Sequence, residues 1–165
     1  MNKMSKKEKN DKTNVMRLLE QAEIDYTPHE YDAEKAVSAV DVASFLSQDV
    51  EQVFKTLVTV GKSGEHYVFV IPGEKELDLK KAATVADEKY IEMIPQKDLL
   101  PLTGYIHGGC SPIGMKKQFM TFIDETAQLF DTIFVSGGKR GLQVEVNPLS
   151  LSDYIKAVFV DLVKE

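Results

Sequence analysis

Apolar positions along this chain keep a helical period first and then condense into dense runs. Val15, Leu18, Leu19 and Ala22 recur at the spacing that lines one helix face, and the stretch from Tyr26 to Tyr31 reads as an extended segment after it. Ser38 with Asp41 three residues on has the pattern of a capping box, in which hydroxyl and carboxylate each accept from the other residue's amide. It predicts a second helix carrying Val42, Phe45 and Leu46. Phe54–Val60 and His66–Ile71 are near-continuous runs of β-branched and aromatic residues separated by the Gly61–Gly64 turn, which predicts a hairpin of central strands.

Asp78 is placed to cap a helix over Leu79–Ala86, and Tyr90–Ile94 reads as a short strand stopped by Pro95. Further strands are predicted at Phe119–Ile123, Ile133–Val135, Leu142–Val146 and Ala157–Val160, with Pro148 opening a helix between the last two. Hairpins and helical crossovers thus alternate irregularly. That order predicts an α/β fold in a single domain: a mixed, strongly curved β-sheet or partial barrel with surrounding helices.

Composition bounds the function. A chain of 165 residues, 43% hydrophobic, has enough apolar material for one substantial core. Residues 1–12, MNKMSKKEKNDK, are polar and lysine-rich and are expected to form a flexible tail ahead of a domain spanning residues 13–165. No stretch is apolar and long enough to span a bilayer, so a cytoplasmic protein is expected. A single cysteine, Cys110, excludes an internal disulfide, and no Cys or His cluster has zinc-ligand spacing, so neither a metal nor a cofactor is expected. The net charge of -6 disfavours nonspecific attraction to polyanions. A nucleic acid partner would need a local basic rim or delivery by another protein.

Two glycine-rich loops narrow the chemistry. Thr103–Lys117, TGYIHGGCSPIGMKK, joins a Gly-Gly step to a Ser-Pro turn and two lysines, and VSGGKRGLQVEV places Gly137, Gly138, Lys139, Arg140 and Gly141 between two predicted strands. Adjacent glycines leave peptide N–H groups open to close approach. With cationic flanks, the two loops point to an anionic or ester-bearing ligand between them. Neither is a P-loop: Thr56 stands where that motif before Gly61, Lys62 and Ser63 needs its first glycine, and Arg140 follows Lys139 where Ser or Thr is required. His107 lies three residues from Cys110, but that spacing alone builds no Cys-His hydrolase, and Cys110 reads as a small buried hydrophobe.

QVFKTL around Lys55, LDLKK at Leu77–Lys81, TGYIHGGCSPIGMKK and IFVSGGKRGLQVE resemble, in order and spacing, the signature segments of the YbaK/EbsC family. The resemblance covers nearly all of the chain after the tail. It implies a free-standing editing domain, related to the insertion domain of prolyl-tRNA synthetases, that hydrolyses mischarged Cys-tRNA(Pro). It further implies that the substrate's own thiol attacks its ester carbonyl. The implied partner is the acceptor end of a mischarged tRNA, presented by a prolyl-tRNA synthetase or an elongation factor, with no DNA or membrane involved. A deacylase for alanyl or seryl esters, a non-catalytic module that binds aminoacyl-tRNA or a synthetase surface, and a cysteine hydrolase stay open as alternatives.

Taken alone, Lys55 fits a snorkelling lysine at a strand end as well as an ammonium at a cavity mouth. Gly108 and Gly109 fit a tight turn, Ser136 a hydroxyl closing one, and Tyr31 a core aromatic. The resemblance implies more. It makes Lys55, Gly108 and Ser136 the catalytic set, with Lys55 positioning the substrate electrostatically, Gly108 backbone groups orienting the ester carbonyl, and Ser136 meeting the aminoacyl end or the ribose. It makes Tyr31, Gly109, Gly137 and Gln143 substrate-binding, and Lys116, Lys117, Lys139 and Arg140 contacts to the tRNA. Gln143 stands where the family often has an acid, and Val37 or Ser38 where it has an aromatic. Both departures bear on which amino acid is preferred.

Overall fold

The computed structural model describes residues 12–165, so the predicted tail lies outside the described residues apart from Lys12. Helix α1 (Asn14–Gln21) is capped by the Thr13 hydroxyl and is followed by strand β1 (Tyr26–Glu30). Helix α2 (Ala39–Leu46) opens on the predicted capping box: Asp41 N donates to Ser38 Oγ at 3.1 Å and Ser38 N to Asp41 Oδ2 at 3.4 Å. The hairpin follows as β2 (Phe54–Gly61) and β3 (His66–Pro72). Asp78 Oδ1 accepts from Lys80 N and Lys81 N at 3.0 and 3.1 Å and starts α3 (Leu79–Ala86), which leads to β4 (Ile91–Met93).

A short helix that the hydropathy pattern did not predict, α4 (Leu99–Thr103), precedes the first glycine loop. Five residues carrying Pro101 are too few to display a period. Beyond that loop run β5 (Met120–Asp124), β6 (Ile133–Ser136), β7 (Leu142–Val146), α5 (Pro148–Ile155) and β8 (Val158–Val160). Pro148 occupies the first turn of α5, as its missing N–H allows.

The strands form two open sheets, in place of the expected single strongly curved sheet or partial barrel. One has three strands in the order β1-β7-β6, all antiparallel; the other has five in the order β4-β2-β3-β5-β8. Within the latter β2 pairs antiparallel with β3 and β4, whereas β3–β5 and β5–β8 are parallel. The mixed α/β reading therefore holds, and the hairpin is central as its apolar runs require. Hydropathy marks which residues are buried, but the partner of each strand edge is a tertiary choice.

Strand alternation divides the core. Phe54, Val58, Val68 and Val70 face one layer, packed against Ile133, Val135, Leu142 and Val144 of the smaller sheet and Val15 and Leu19 of α1. Tyr67, Phe69 and Ile71 face the other, under α3. A third cluster, Ala36, Val42, Ala43, Val53 and Phe134, lies where α2 covers the junction of the sheets.

Candidate active site

An isolated parallel bridge, Val53 to Phe134, joins the two sheets at that junction. Past it β2 and β6 part company, and on the other side β4 covers β2 only over Thr59–Gly61. Between the bridge and that pairing the edge of β2 is free around Thr56, and a cavity of about 520 Å³ occupies the wedge. Val58 O accepts from Ile94 N at 3.3 Å, so the even-numbered residues of β2 turn their backbone groups to this side. The amide and carbonyl of Thr56 consequently face the open edge rather than β3.

The cavity gathers residues from distant segments. Tyr31, Lys55, Gly108, Ser136 and Gln143 all line it, as do Val37 and Ser38 at the start of α2. Alternation puts Lys55 and Thr56 on opposite faces of β2, and both reach the cavity because it lies off a strand edge. Lys55 is half-buried, and burial holds its ammonium below the usual lysine range, with the Glu76 carboxylate opposing that shift. Tyr31 lies edge-on to Phe45 at 6.5 Å between ring centroids and packs beside the third cluster. Ser136 Oγ accepts from Gly138 N at 3.2 Å, so it closes the turn while its own proton stays free to donate.

The two glycine loops pack on each other. A Cβ on Gly109 would stand 3.0 Å from Arg140 N, Lys139 C and Lys139 Cα, so close that the facing backbone would have to give by a few tenths of an ångström. Gly109 N donates to Ile106 O at 3.0 Å, which removes it as a ligand donor. Gly108 takes φ +86°, and among the described residues its N–H donates to no backbone carbonyl. Of the two glycines, only Gly108 thus keeps an N–H without a backbone partner. Thr13 Oγ1 donates to Gly137 O at 2.7 Å and ties the start of α1 to the second loop.

The expected basic residues divide. The Arg140 side chain lies over Gly108, with Cγ 3.4 Å from where a Cβ would be, and Lys139 is exposed beside it. Lys116 packs on Gly104, and Lys117 lies 6.0 Å from the Phe119 ring centroid at a separate, smaller cavity. Gly109, Gly137, Lys116, Lys117, Lys139 and Arg140 do not line the main cavity.

Sequence reasoning passed over Thr56, which lines the cavity beside Lys55. A hydroxyl within an apolar strand, adjacent to the singled-out lysine in QVFKTL, is the signal that marks it. Cys110 and His107 also line the cavity, but no hydrogen bond joins them among the described residues. Burial pushes the Cys110 thiol up to about 12, partly offset by a hydrogen bond with Thr103. A thiol so held is protonated at neutral pH and is no nucleophile.

With that geometry in place, the relatives can be compared. Residues 33–154 match the family described as "Aminoacyl-tRNA editing domain". A protein of Enterococcus faecalis, provisionally named Cys-tRNA(Pro)/Cys-tRNA(Cys) deacylase EbsC, is 47% identical over 160 residues, covering 96% of this chain and 98% of that one. The proline–tRNA ligase of Nitrosomonas eutropha is 31% identical over 103 residues, 62% of this chain but only 17% of that enzyme. A crystal structure described as a provisional trans-editing enzyme for prolyl tRNA synthetase superposes with TM-score 0.81 at 25% identity, covering 92% of this chain and 95% of that one. A hypothetical protein at 20% identity and TM-score 0.84, covering 92% of this chain and 100% of that one, shares the fold.

Proposed function

Because the chain belongs to the aminoacyl-tRNA editing domain family, we propose that it is a free-standing deacylase that removes cysteine from mischarged Cys-tRNA(Pro). The observation that carries this reading is the wedge cavity, which brings Lys55, Thr56, Gly108 and Ser136 to one place off a free strand edge. An aminoacyl ester is already activated, so positioning and one well-placed oxyanion donor supply much of the catalysis. The Gly108 N–H is that donor. The Lys55 ammonium holds the substrate electrostatically and favours the negative charge that develops at the carbonyl oxygen.

The nucleophile comes from the substrate. The thiol gives its proton to solvent and its thiolate sulfur attacks the ester carbonyl carbon; the C–S bond forms as the C–O bond to the ribose breaks, the departing ribose oxygen takes up a proton from water, and the released four-membered thiolactone is opened by water to free cysteine. Ser136, with its hydroxyl proton free, supports that oxygen. Cys110 takes no part, since its thiol remains protonated. Substrate discrimination then follows from reactivity: a seryl hydroxyl does not ionise in this pH range and an alanyl group has no nucleophile.

Lys139 and Arg140, at the loop lying over Gly108, are the contacts to the acceptor-end phosphates. Lys116 and Lys117 extend the basic surface away from the cavity. The chain's net charge of -6 leaves recognition of the tRNA body to a partner, a prolyl-tRNA synthetase or an elongation factor. Residues 13–165 constitute the editing domain and the lysine-rich residues before them an appended tail.

Single-turnover deacylation of Cys-, Ala- and Pro-charged tRNA(Pro) tests the reading. Selective loss of cysteine that falls at least 100-fold in Lys55→Ala supports it. No turnover on any charged tRNA overturns it.

A further inference from the structure

One wall of the cavity is a strand edge, and at Thr56 no strand is paired to it. β4 runs antiparallel to β2 in a register that sets Met93 opposite Thr59, and the bond from Ile94 N to Val58 O at 3.3 Å carries that register one residue further. Continued, it would set Gln96 opposite Thr56. Pro95 instead leads the chain into a 3₁₀ helix over Gln96–Asp98, and on the far side β2 makes a single bridge to β6, at Val53. Thr56 falls in the gap between these two neighbours. As an even-numbered residue of β2 it turns both its N–H and its C=O away from β3. Its Oγ1 is sealed off, yet the residue as a whole is only half-buried, so what it offers the cavity is main chain and methyl.

An unpaired strand edge invites more main chain. In an extended residue N and O lie on the same side of the strand, and a residue set opposite in antiparallel register exchanges two hydrogen bonds with it, at a spacing that covalent geometry fixes. In parallel register the same two groups would bond two different residues. An aminoacyl ester is a single residue of main chain, with an amine nitrogen and a carbonyl on either side of one Cα. It therefore carries the donor and the acceptor that the antiparallel register requires. The gap between Val58, already bonded to Ile94, and the bridge at Val53 is one such position long.

Resting on the deacylase reading, we infer that the aminoacyl group binds as a one-residue strand on the edge of β2, its α-amino nitrogen donating to Thr56 O and its ester carbonyl accepting from Thr56 N–H. The antiparallel direction sends the ester oxygen and the ribose towards the Val53 end of the strand. An L-residue so placed turns its side chain to the face shared by Thr56, Phe54 and Val58, between the two sheets. Thr56 N–H then touches the oxygen on which negative charge develops during attack. A carbonyl oxygen has two lone pairs, so this donor acts alongside the Gly108 N–H without displacing it.

A stable mimic tests the contact itself: adenosine carrying cysteine through a 3′-amide, with its cysteinyl carbonyl carbon isotope-labelled. On saturation, hydrogen exchange at the Thr56 amide is expected to slow at least about 10-fold, and a magnetic coupling between the Thr56 nitrogen and the labelled carbon reports the bond directly. The same mimic without its α-amino group should bind about 10-fold more weakly. Replacing Thr56 by its α-hydroxy acid counterpart puts an ester oxygen in place of the N–H and leaves the side chain unchanged. Within the protein this weakens only the Lys55 carbonyl as an acceptor, so the unfolding midpoint should fall by no more than about 4 °C, whereas single-turnover deacylation of Cys-tRNA(Pro) should fall about 100-fold.

Binding of the mimic with Thr56 exchange unchanged, equal affinity without the α-amino group, or a wild-type rate in the backbone-ester variant overturns the inference. If the wild type still removes cysteine from Cys-tRNA(Pro), the deacylase reading survives each of those outcomes. A chain that neither binds the mimic nor deacylates any charged tRNA loses both.

Discussion

Gly109→Ala tests whether the contact between the two glycine loops holds the oxyanion donor in place. The added Cβ would stand 3.0 Å from Arg140 N, Lys139 C and Lys139 Cα, against a normal separation of about 3.5–4.0 Å. All three atoms are backbone, so no side chain can swing aside and the loops must part by several tenths of an ångström. Overpacking of this kind costs about 1–3 kcal/mol, and at about 2–4 °C per kcal/mol for a chain of this size the midpoint falls by about 2–12 °C. The Gly108 N–H moves with its neighbour. Since misplacement by about 1 Å can cost about 100-fold, this smaller shift predicts a single-turnover rate lowered about 10-fold.

Gly64→Ala is the control. Gly64 has φ +90° and nothing within 4 Å of an added Cβ, so the substitution costs about 1–2 kcal/mol of backbone strain in a hairpin turn that does not line the cavity. Its deacylation rate should equal that of the wild type. Thermal unfolding and single-turnover deacylation of both variants decide the matter. Wild-type stability and rate in Gly109→Ala, or an equal slowing in Gly64→Ala, refutes the reasoning.

Cys110→Ser should retain deacylation within about threefold, and native Cys110, its thiol pushed up to about 12, should be alkylated at pH 8 at least 10-fold more slowly than in urea. Raising the pH from about 9 towards 12 should erode stability, because the unfolded thiol ionises before the folded one. Asp124→Ala should destabilise by about 1–3 kcal/mol for each buried donor it orphans, since Asp124 is fully buried and accepts from Leu162 N at 3.0 Å and Thr126 N at 3.2 Å; urea unfolding measures this. Thr13→Val removes both the cap of α1 and the bond to Gly137 O. It should cost about 1–2 kcal/mol and speed amide exchange at Gly138.

The capping signals at Ser38, Asp78 and Pro148 and the twin apolar runs of the hairpin were legible in the sequence, because each depends on residues only a few positions apart. Tyr31, Lys55, Gly108, Ser136 and Gln143, drawn from three of the motifs and a flanking aromatic, line one cavity. What the sequence alone determined was which segments bury themselves and which carry chemistry. Tertiary structure decided that the strands divide between two sheets and that the loops press backbone to backbone. It also decided that Gly109 spends its N–H internally and that Thr56 and Gln143, from different sheets, line one cavity. These outcomes depend on which edge pairs with which across long stretches of chain, and hydropathy carries no record of that pairing. The site exists because β6 leaves β2 after a single bridge at Val53 and Phe134, and only the packed chain shows where two strands part.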